Sequence, residues 1–363
     1  MAGSSFGQIF KITTWGESHG KALGVVVDGV PAGLELSEAD IQRFLNRRKP
    51  GQSKYTTQRS EGDEVEILSG VFEGMTTGTP ISLMVRNADQ HSKDYSNISH
   101  VFRPGHADYT FWEKYGVRDY RGGGRSSGRE TIGRVAAGAI AVKILKQLGI
   151  DVITYTKSIG PVGVKKYDFT EINHNAFYMP DSEAAVEAGK YVEGCMADKD
   201  SVGGIIECRI NGMPAGIGDT VFEKLDANLA KAIMSIGAVK GFEVGDGFAV
   251  SNSSGSENND DFIVDNGNIV KSTNHAGGIL GGMSDGSEIV FRAAVKPTPS
   301  ISQPQQTVDV DGRPQKIEIQ GRHDPIIVPR AVVVVESMAA ITILDLLMTN
   351  MSARLDSLKD FYN

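Results

Sequence analysis

The segment Ala331–Met348 constrains the fold most, because it reads as a helix apolar on most of its sides, and such a helix has to be buried on most of them. A second long helix, Thr131–Leu148, places Ile132, Val135, Ala136, Ala139, Ile140, Ile144 and Leu148 at helical spacing. Its small residues would let it lie very close to neighbouring backbone. Helices and short strands interleave without the steady strand–helix–strand spacing of a doubly wound sheet, so the pattern predicts an α+β fold. Strands are expected over Phe6–Thr14, Val25–Val27, Val65–Leu68, Ile81–Val85, Ile205–Ile210 and Glu288–Val295. A helix starts at Ser37, where Asp40 suggests a capping box, and stops at Pro50-Gly51; another is expected over Asp219–Ser235. No Pro- or Ser-rich linker divides the chain, which reads as one domain, residues 1–363. The polar run Ser251–Asp261 lacks hydrophobic residues and reads as a mobile loop, dispensable for folding.

A net charge of −8 opposes general binding to nucleic acid or to a membrane surface. One stretch runs against it: Arg43, Arg47, Arg48, Lys49, Lys54 and Arg59 come with no acid among them. No stretch of about 18 apolar residues is read in the sequence, which is taken to exclude a transmembrane helix. The first residues lack the basic start and apolar run of a secretory signal. Cys195 and Cys208 match no zinc or redox spacing and read as buried, inert thiols in a reducing compartment, the cytosol.

Several motifs carry chemistry. Gly16-Glu17-Ser18-His19-Gly20 follows a strand, and its glycines leave the imidazole uncovered, suited to donate to or protonate an anion; a plain surface turn is the alternative. Arg47, Arg48 and Lys49 are accounted for by a helix C-terminus, where each cation contributes roughly 0.3–1 kcal/mol. Lys54 and Arg59 lie beyond that helix and are better explained by an anion-binding loop. Arg103-Pro104-Gly105-His106-Ala107-Asp108 sets a second histidine in a rigid turn; with no second His or Cys at ligand spacing, an oriented acid or base fits better than a metal site. In Arg121–Glu130, three glycines expose backbone amides at a helix start, Ser126 and Ser127 add hydroxyls, and Arg125 and Arg129 can grip phosphate or carboxylate. It is neither a P-loop nor a dinucleotide fingerprint. Asn274–Ser284 is a second glycine-dense loop, either approaching a flat ligand or turning a structural corner. Lys296-Pro297-Thr298-Pro299-Ser300 and Gly321-Arg322-His323-Asp324-Pro325 complete the set. Together they predict an enzyme acting on a small, strongly anionic, phosphate-bearing molecule.

In this order and over nearly the whole chain, these motifs resemble the chorismate synthase family. The resemblance implies a β-α-β sandwich with helices between two antiparallel sheets, assembled as a homotetramer. It implies conversion of 5-enolpyruvylshikimate 3-phosphate to chorismate by 1,4-anti elimination of phosphate, with reduced FMN required although nothing is oxidised or reduced overall. On the same basis His19 protonates the departing phosphate, His106 interacts with reduced flavin, and Asp324 assists proton removal at flavin N5. FMN would be held by Arg125, Ser126, Ser127, Gly237, Ala238 and Gly281, together with Lys296, Pro297, Thr298, Pro299, Ser300 and Arg322. Substrate would be held by Ser18, Arg48, Lys54, Arg59, Ser127, Arg129 and Arg322. A ligand with one phosphate and two carboxylates carries a charge near roughly −4, which that cation set matches. Two positions depart from the family pattern: Lys54 replaces a more usual Arg, exchanging a planar fork for a point charge, and Gly128 replaces a more usual Ala.

Two other functions are open to the sequence. One is an NAD(P)H:flavin oxidoreductase, an activity some family members carry as a second one; the missing dinucleotide fingerprint opposes it and leaves an external flavin reductase to supply the cofactor. The other is an anion- or nucleic-acid-binding module built on Arg43–Arg59, opposed by the net charge.

Overall fold

The computed structural model describes residues 3–56, 62–87, 100–318 and 324–363. Its first sheet is antiparallel and built from β1 (Ser5–Phe6), β2 (Lys11–Gly16), β3 (Ala22–Asp28), β4 (Val65–Ile67) and β5 (Ile81–Arg86), in the order β1-β2-β3-β5-β4. Register puts Leu23, Val25 and Val27 opposite Val85, Leu83 and Ile81, so alternate residues of both strands face inward. The expected strand Phe6–Thr14 is interrupted. At the bend, the Gln8, Ile9 and Phe10 amides all donate to the Asp345 carboxylate, at 2.7–3.0 Å.

The second sheet contains β6 (Asp151–Ile159), β7 (Val162–Gly163), β8 (Gly204–Asn211), β9 (Val239–Val244) and β10 (Ile289–Val295), ordered β9-β10-β8-β6-β7 and also antiparallel. Ile206, Cys208 and Ile210 pair with Ala293, Phe291 and Ile289, all buried.

Between the sheets lie the layer helices α1 (Glu38–Arg48), α2 (Thr131–Gln147), α3 (Leu225–Met234) and α4 (Val328–Asn350). The capping box at Ser37 and Asp40 is present. Helix α2 packs on the first sheet, where a side chain at Gly133 would crowd Thr14, Gly24 and Val25, while α4 packs on the second. The two helices touch closely: a Cβ at Gly138 would collide with the Ser337 side chain and sit 2.6 Å from its Cα. The architecture is therefore the expected sandwich of helices between two antiparallel sheets.

Four expectations need correction. Helix α3 begins at Leu225, not Asp219, because the preceding segment is held at both ends by the hairpin around Gly282, Gly218 bridging Met283 and the Leu225 amide donating to Gly282 O, and Phe222 is left 87% exposed. Ser251–Asp261 is not a featureless loop. It contains a capped helical turn, Gly255–Asn258, and Asp260 binds Lys271, Thr273 and the His275 and Ala276 amides. Cys208 is buried as expected, its thiol pushed well above the ordinary value by burial, but Cys195 is only half-buried. Finally, α4 is long and apolar enough by composition to cross a membrane, interrupted only by isolated charges; 83% of its most apolar window is buried inside the protein, as a core helix requires.

Candidate active site

The described motifs gather into two groups. The first surrounds the start of α2. Strand β2 ends at Gly16, whose φ is +85° and whose Cα faces Ala22 O so closely that a side chain has no room. The chain then turns tightly, Gly20 N donating to Glu17 O at 3.0 Å. His19 Nδ1 lies 3.1 Å from Ser18 Oγ. The glycine arm 122–124 comes over the ring, so that a Cβ on Gly122 would collide with the imidazole. Two motifs separated by about a hundred residues thus form one wall.

Cations line the other side. Arg129 donates to Asn87 Oδ1 (3.1 and 2.7 Å) and pairs with Asp63 at 3.2 Å. Arg48, with a side chain only 2% exposed, pairs with the fully buried Asp63 at 2.7 Å and donates to Gly128 O. Burial pulls the Arg48 guanidinium below its ordinary value, with Asp63 opposing that shift. Arg330 closes the cluster by donating to Arg48 O at 3.0 Å and pairing with Asp324 at 2.6 Å. Asn87 Nδ2 also donates to Glu17 O and Gly20 O, on either side of Ser18 and His19, so Ser18, His19, Arg48, Arg129 and Asp324 are parts of one connected network.

Other sequence-derived residues stand differently. Arg125 is committed to the end of β2, donating to Gly16 O, Thr14 O and Thr14 Oγ1. Ser126 Oγ donates to Gly123 O, and Ser127 Oγ accepts from the Arg129 amide, so both hydroxyls shape the turns that lead into α2. Lys54 faces outward and pairs with Glu193 at 2.6 Å, both half-exposed or more. Arg59 and Arg322 lie outside the described residues. Arg47, explained above by the helix dipole, has a more specific partner in Glu336 of α4, at 2.7 Å.

The second group joins 103–108 to 296–300. His106 Nδ1 faces Pro104 O at 3.0 Å and Nε2 faces Ser300 Oγ at 2.8 Å. A carbonyl only accepts, so Nδ1 carries the proton and Nε2 accepts from the serine. Burial, with Arg103 next, depresses the imidazole pKa below its ordinary value. Lys296 Nζ donates to Gly105 O, and Gly105 packs so tightly on Pro299 that only glycine fits. Asp108 is held by Arg103 and Arg118 and is thereby a structural anchor of the turn. Ala238, in the left-handed region at φ +71°, accepts from the Lys296 amide, and Gly237 beside it faces open space. Thr298 Oγ1 is buried with no hydrogen-bond partner among the described residues. Gly281 turns the hairpin 279–284 at the start of α3, whereas Gly237 and Ala238 follow its end; a ten-residue helix, roughly 15 Å, separates them.

Asp63 and Asn87 carry no sequence signal. Neither belongs to a motif, and only the fold brings them to Arg48, Arg129 and the His19 loop. Arg330 is visible in the sequence only as a cation near a helix start.

The fold and these two groups define an α+β sandwich with two histidines in glycine-held turns, one of them linked to a buried cation cluster. A family model described as chorismate synthase matches residues 10–348. A chorismate synthase of Agathobacter rectalis is 67% identical over 364 residues, covering 100% of this chain and 99% of the relative. One from Methanosarcina mazei is 55% identical over 350 residues, covering 95% and 96%. A crystal structure of chorismate synthase matches with a TM-score of 0.78 at 31% identity, covering 98% of this chain and 97% of that one. The chain belongs to the chorismate synthase family. It is accordingly an enzyme, a lyase of the last step of the shikimate pathway to aromatic amino acids.

Proposed function

We propose that the chain converts 5-enolpyruvylshikimate 3-phosphate to chorismate and phosphate by 1,4-anti elimination, with reduced FMN bound. The observation that carries this reading is the joining of the His19 loop, through Asn87, to the Arg48–Asp63–Arg129 cluster at the start of α2. A trianionic-to-tetraanionic substrate needs several fixed cations, and a departing phosphate needs a proton donor at the same place. Arg129 meets the phosphate or a carboxylate, and His19 delivers the proton from its ring. Arg48, being buried, braces that arrangement through Asp63 and Gly128; by the same reading Lys54, Arg59 and Arg322 add charge.

The second group fits a flavin. Thr298 Oγ1 is a buried hydroxyl without a partner among the described residues, Gly237 leaves open space, and Lys296 and Ser300 supply a cation and a second hydroxyl. When bound, the reduced cofactor supplies transient electron donation that weakens the substrate C–O bond with no net redox change. His106, Lys296, Pro297, Thr298, Pro299, Ser300, Gly237 and Ala238 would form its main cradle, with Arg125, Ser126, Ser127, Gly281 and Arg322 completing it. His106 holds its proton at Nδ1, with Nε2 accepting from Ser300; Asp324 accepts a proton at its carboxylate.

The chain works in the cytosol as a homotetramer and draws reduced flavin from a separate reductase. The hairpin 262–271 supports assembly, since Phe262, Val264 and Ile269 are 63–76% exposed. Light scattering checks it: four 38.9-kDa chains are expected, and a monomer would overturn the tetramer. The activity is tested by phosphate release under anaerobic conditions with photoreduced FMN. Release of phosphate with chorismate is expected; no release would overturn the reading. Turnover in air with NADPH and oxidised FMN would show that no outside reductase is needed.

A further inference from the structure

We propose that Asn87 is a positioning residue that clamps the His19 loop to Arg129, so that proton donor and anion-binding cation move as one unit. The proposal rests on the roles given to His19 and Arg129 above. Asn87 follows directly on β5, the strand that pairs with β3, and its own amide donates to Lys21 O. Its side chain makes contacts in two directions. Nδ2 donates to Glu17 O at 3.1 Å and to Gly20 O at 2.7 Å, the two carbonyls that bracket Ser18 and His19. Oδ1 accepts two bonds from Arg129, at 3.1 and 2.7 Å.

The residue type follows from this. Backbone carbonyls only accept, and a guanidinium only donates, so the side chain between them has to be a donor at one end and an acceptor at the other. Among side chains of this size only a carboxamide satisfies both: aspartate would repel the two carbonyls, and leucine would leave all four bonds unmade. The loop itself is short, closed by the turn bond from Gly20 N to Glu17 O. Its imidazole lies against Gly122, which contributes no side chain, and beside its neighbour Ser18. Arg129, for its part, is fixed on the far side by Asp63, itself fully buried and paired with Arg48. Asn87 therefore transmits the rigid placement of the buried cluster to the turn that carries the histidine.

A double-mutant cycle tests this, because a residue acting through His19 has nothing to act on once His19 is gone. Turnover is measured by anaerobic phosphate release for the wild type, Asn87→Ala, His19→Ala and the double variant, with thermal unfolding of each. Loss of about 1 Å of placement can cost on the order of 100-fold. We expect Asn87→Ala to lower kcat at least about 10-fold in the wild type but less than about 2-fold in the His19→Ala background. Equal losses in both backgrounds, or an unchanged kcat in Asn87→Ala, would overturn the clamp. Wild-type turnover in His19→Ala would instead overturn the role of His19 on which it rests. If the alanine variant fails to fold, Asn87→Asp carries the same cycle. Independently of activity, the His19 ring resonances of Asn87→Asp should shift and broaden relative to the wild type in proton–nitrogen spectra; identical spectra would also sink the proposal.

Discussion

At His106 the surroundings decide both which nitrogen carries the proton and when the ring takes a second one. Pro104 O fixes Nδ1–H, Ser300 occupies Nε2, and burial together with Arg103 holds the pKa below the ordinary 6.5. The native ring thus binds its second proton at lower pH than the unfolded chain does. As pH falls through 6.5 the unfolded state takes up the proton first, and stability declines until the native pKa is passed. The urea midpoint should fall across that interval, and His106→Asn should flatten the fall; an imidazole midpoint at or above 6.5 by NMR would contradict it. At position 19, replacing the imidazole should cost about 100- to 10,000-fold in turnover with substrate affinity little changed, as expected of a proton donor. Titration of substrate binding beside turnover separates the two effects. Both histidines are legible in the sequence, since a histidine flanked by glycines or proline has no packing reason to be there. Asp63 and Asn87 are not: each is an ordinary polar residue next to a strand, and its meaning lies in partners 15 to 70 positions away.

Elements are legible where local physics settles them and obscure where a distant segment intervenes. The Ser37 cap and helices α1, α2 and α4 follow from capping and apolar periodicity. Periodicity overextends helix α3 because Phe222 falls at helical spacing yet points to solvent, the backbone there being claimed by Gly282. Ser251–Asp261 looks dispensable because composition records no hydrophobic residue, whereas its role is ionic. The Lys271 side chain is 1% exposed and lies between the Asp260 and Asp285 carboxylates, at 3.0 and 2.7 Å, both nearly buried. Replacing Lys271 by Met would leave two carboxylates together without a cation. We expect a loss of about 3–5 kcal/mol, measured by urea unfolding. Deleting 251–261 should likewise destabilise the glycine loop 274–284, and a deletion variant with wild-type melting temperature would show that this anchor is unimportant.

For the whole molecule, the joint between halves is the contact of α2 with α4, where Gly138 faces Ser337. Gly138→Ala pushes a methyl against the backbone of the opposite helix, a strain of about 1–3 kcal/mol, visible as a lower melting temperature. An unaltered melting curve would mean the helices slide apart freely. The layered class is legible because a helix apolar on most of its sides needs covering on most of them; the pairing of two sheets is not, since strand order leaves no trace in local pattern. Helix α4 also has a temporal consequence. It fills the space against the second sheet, its Asp345 gathers the amides that lead into β2, and its Glu336 receives Arg47, yet it is synthesised after every strand of both sheets. On the ribosome, the inner face of the second sheet must therefore wait, uncovered and adhesive, for its filling. Collapse onto that face comes late in synthesis, and holding chaperones should find it exposed until then.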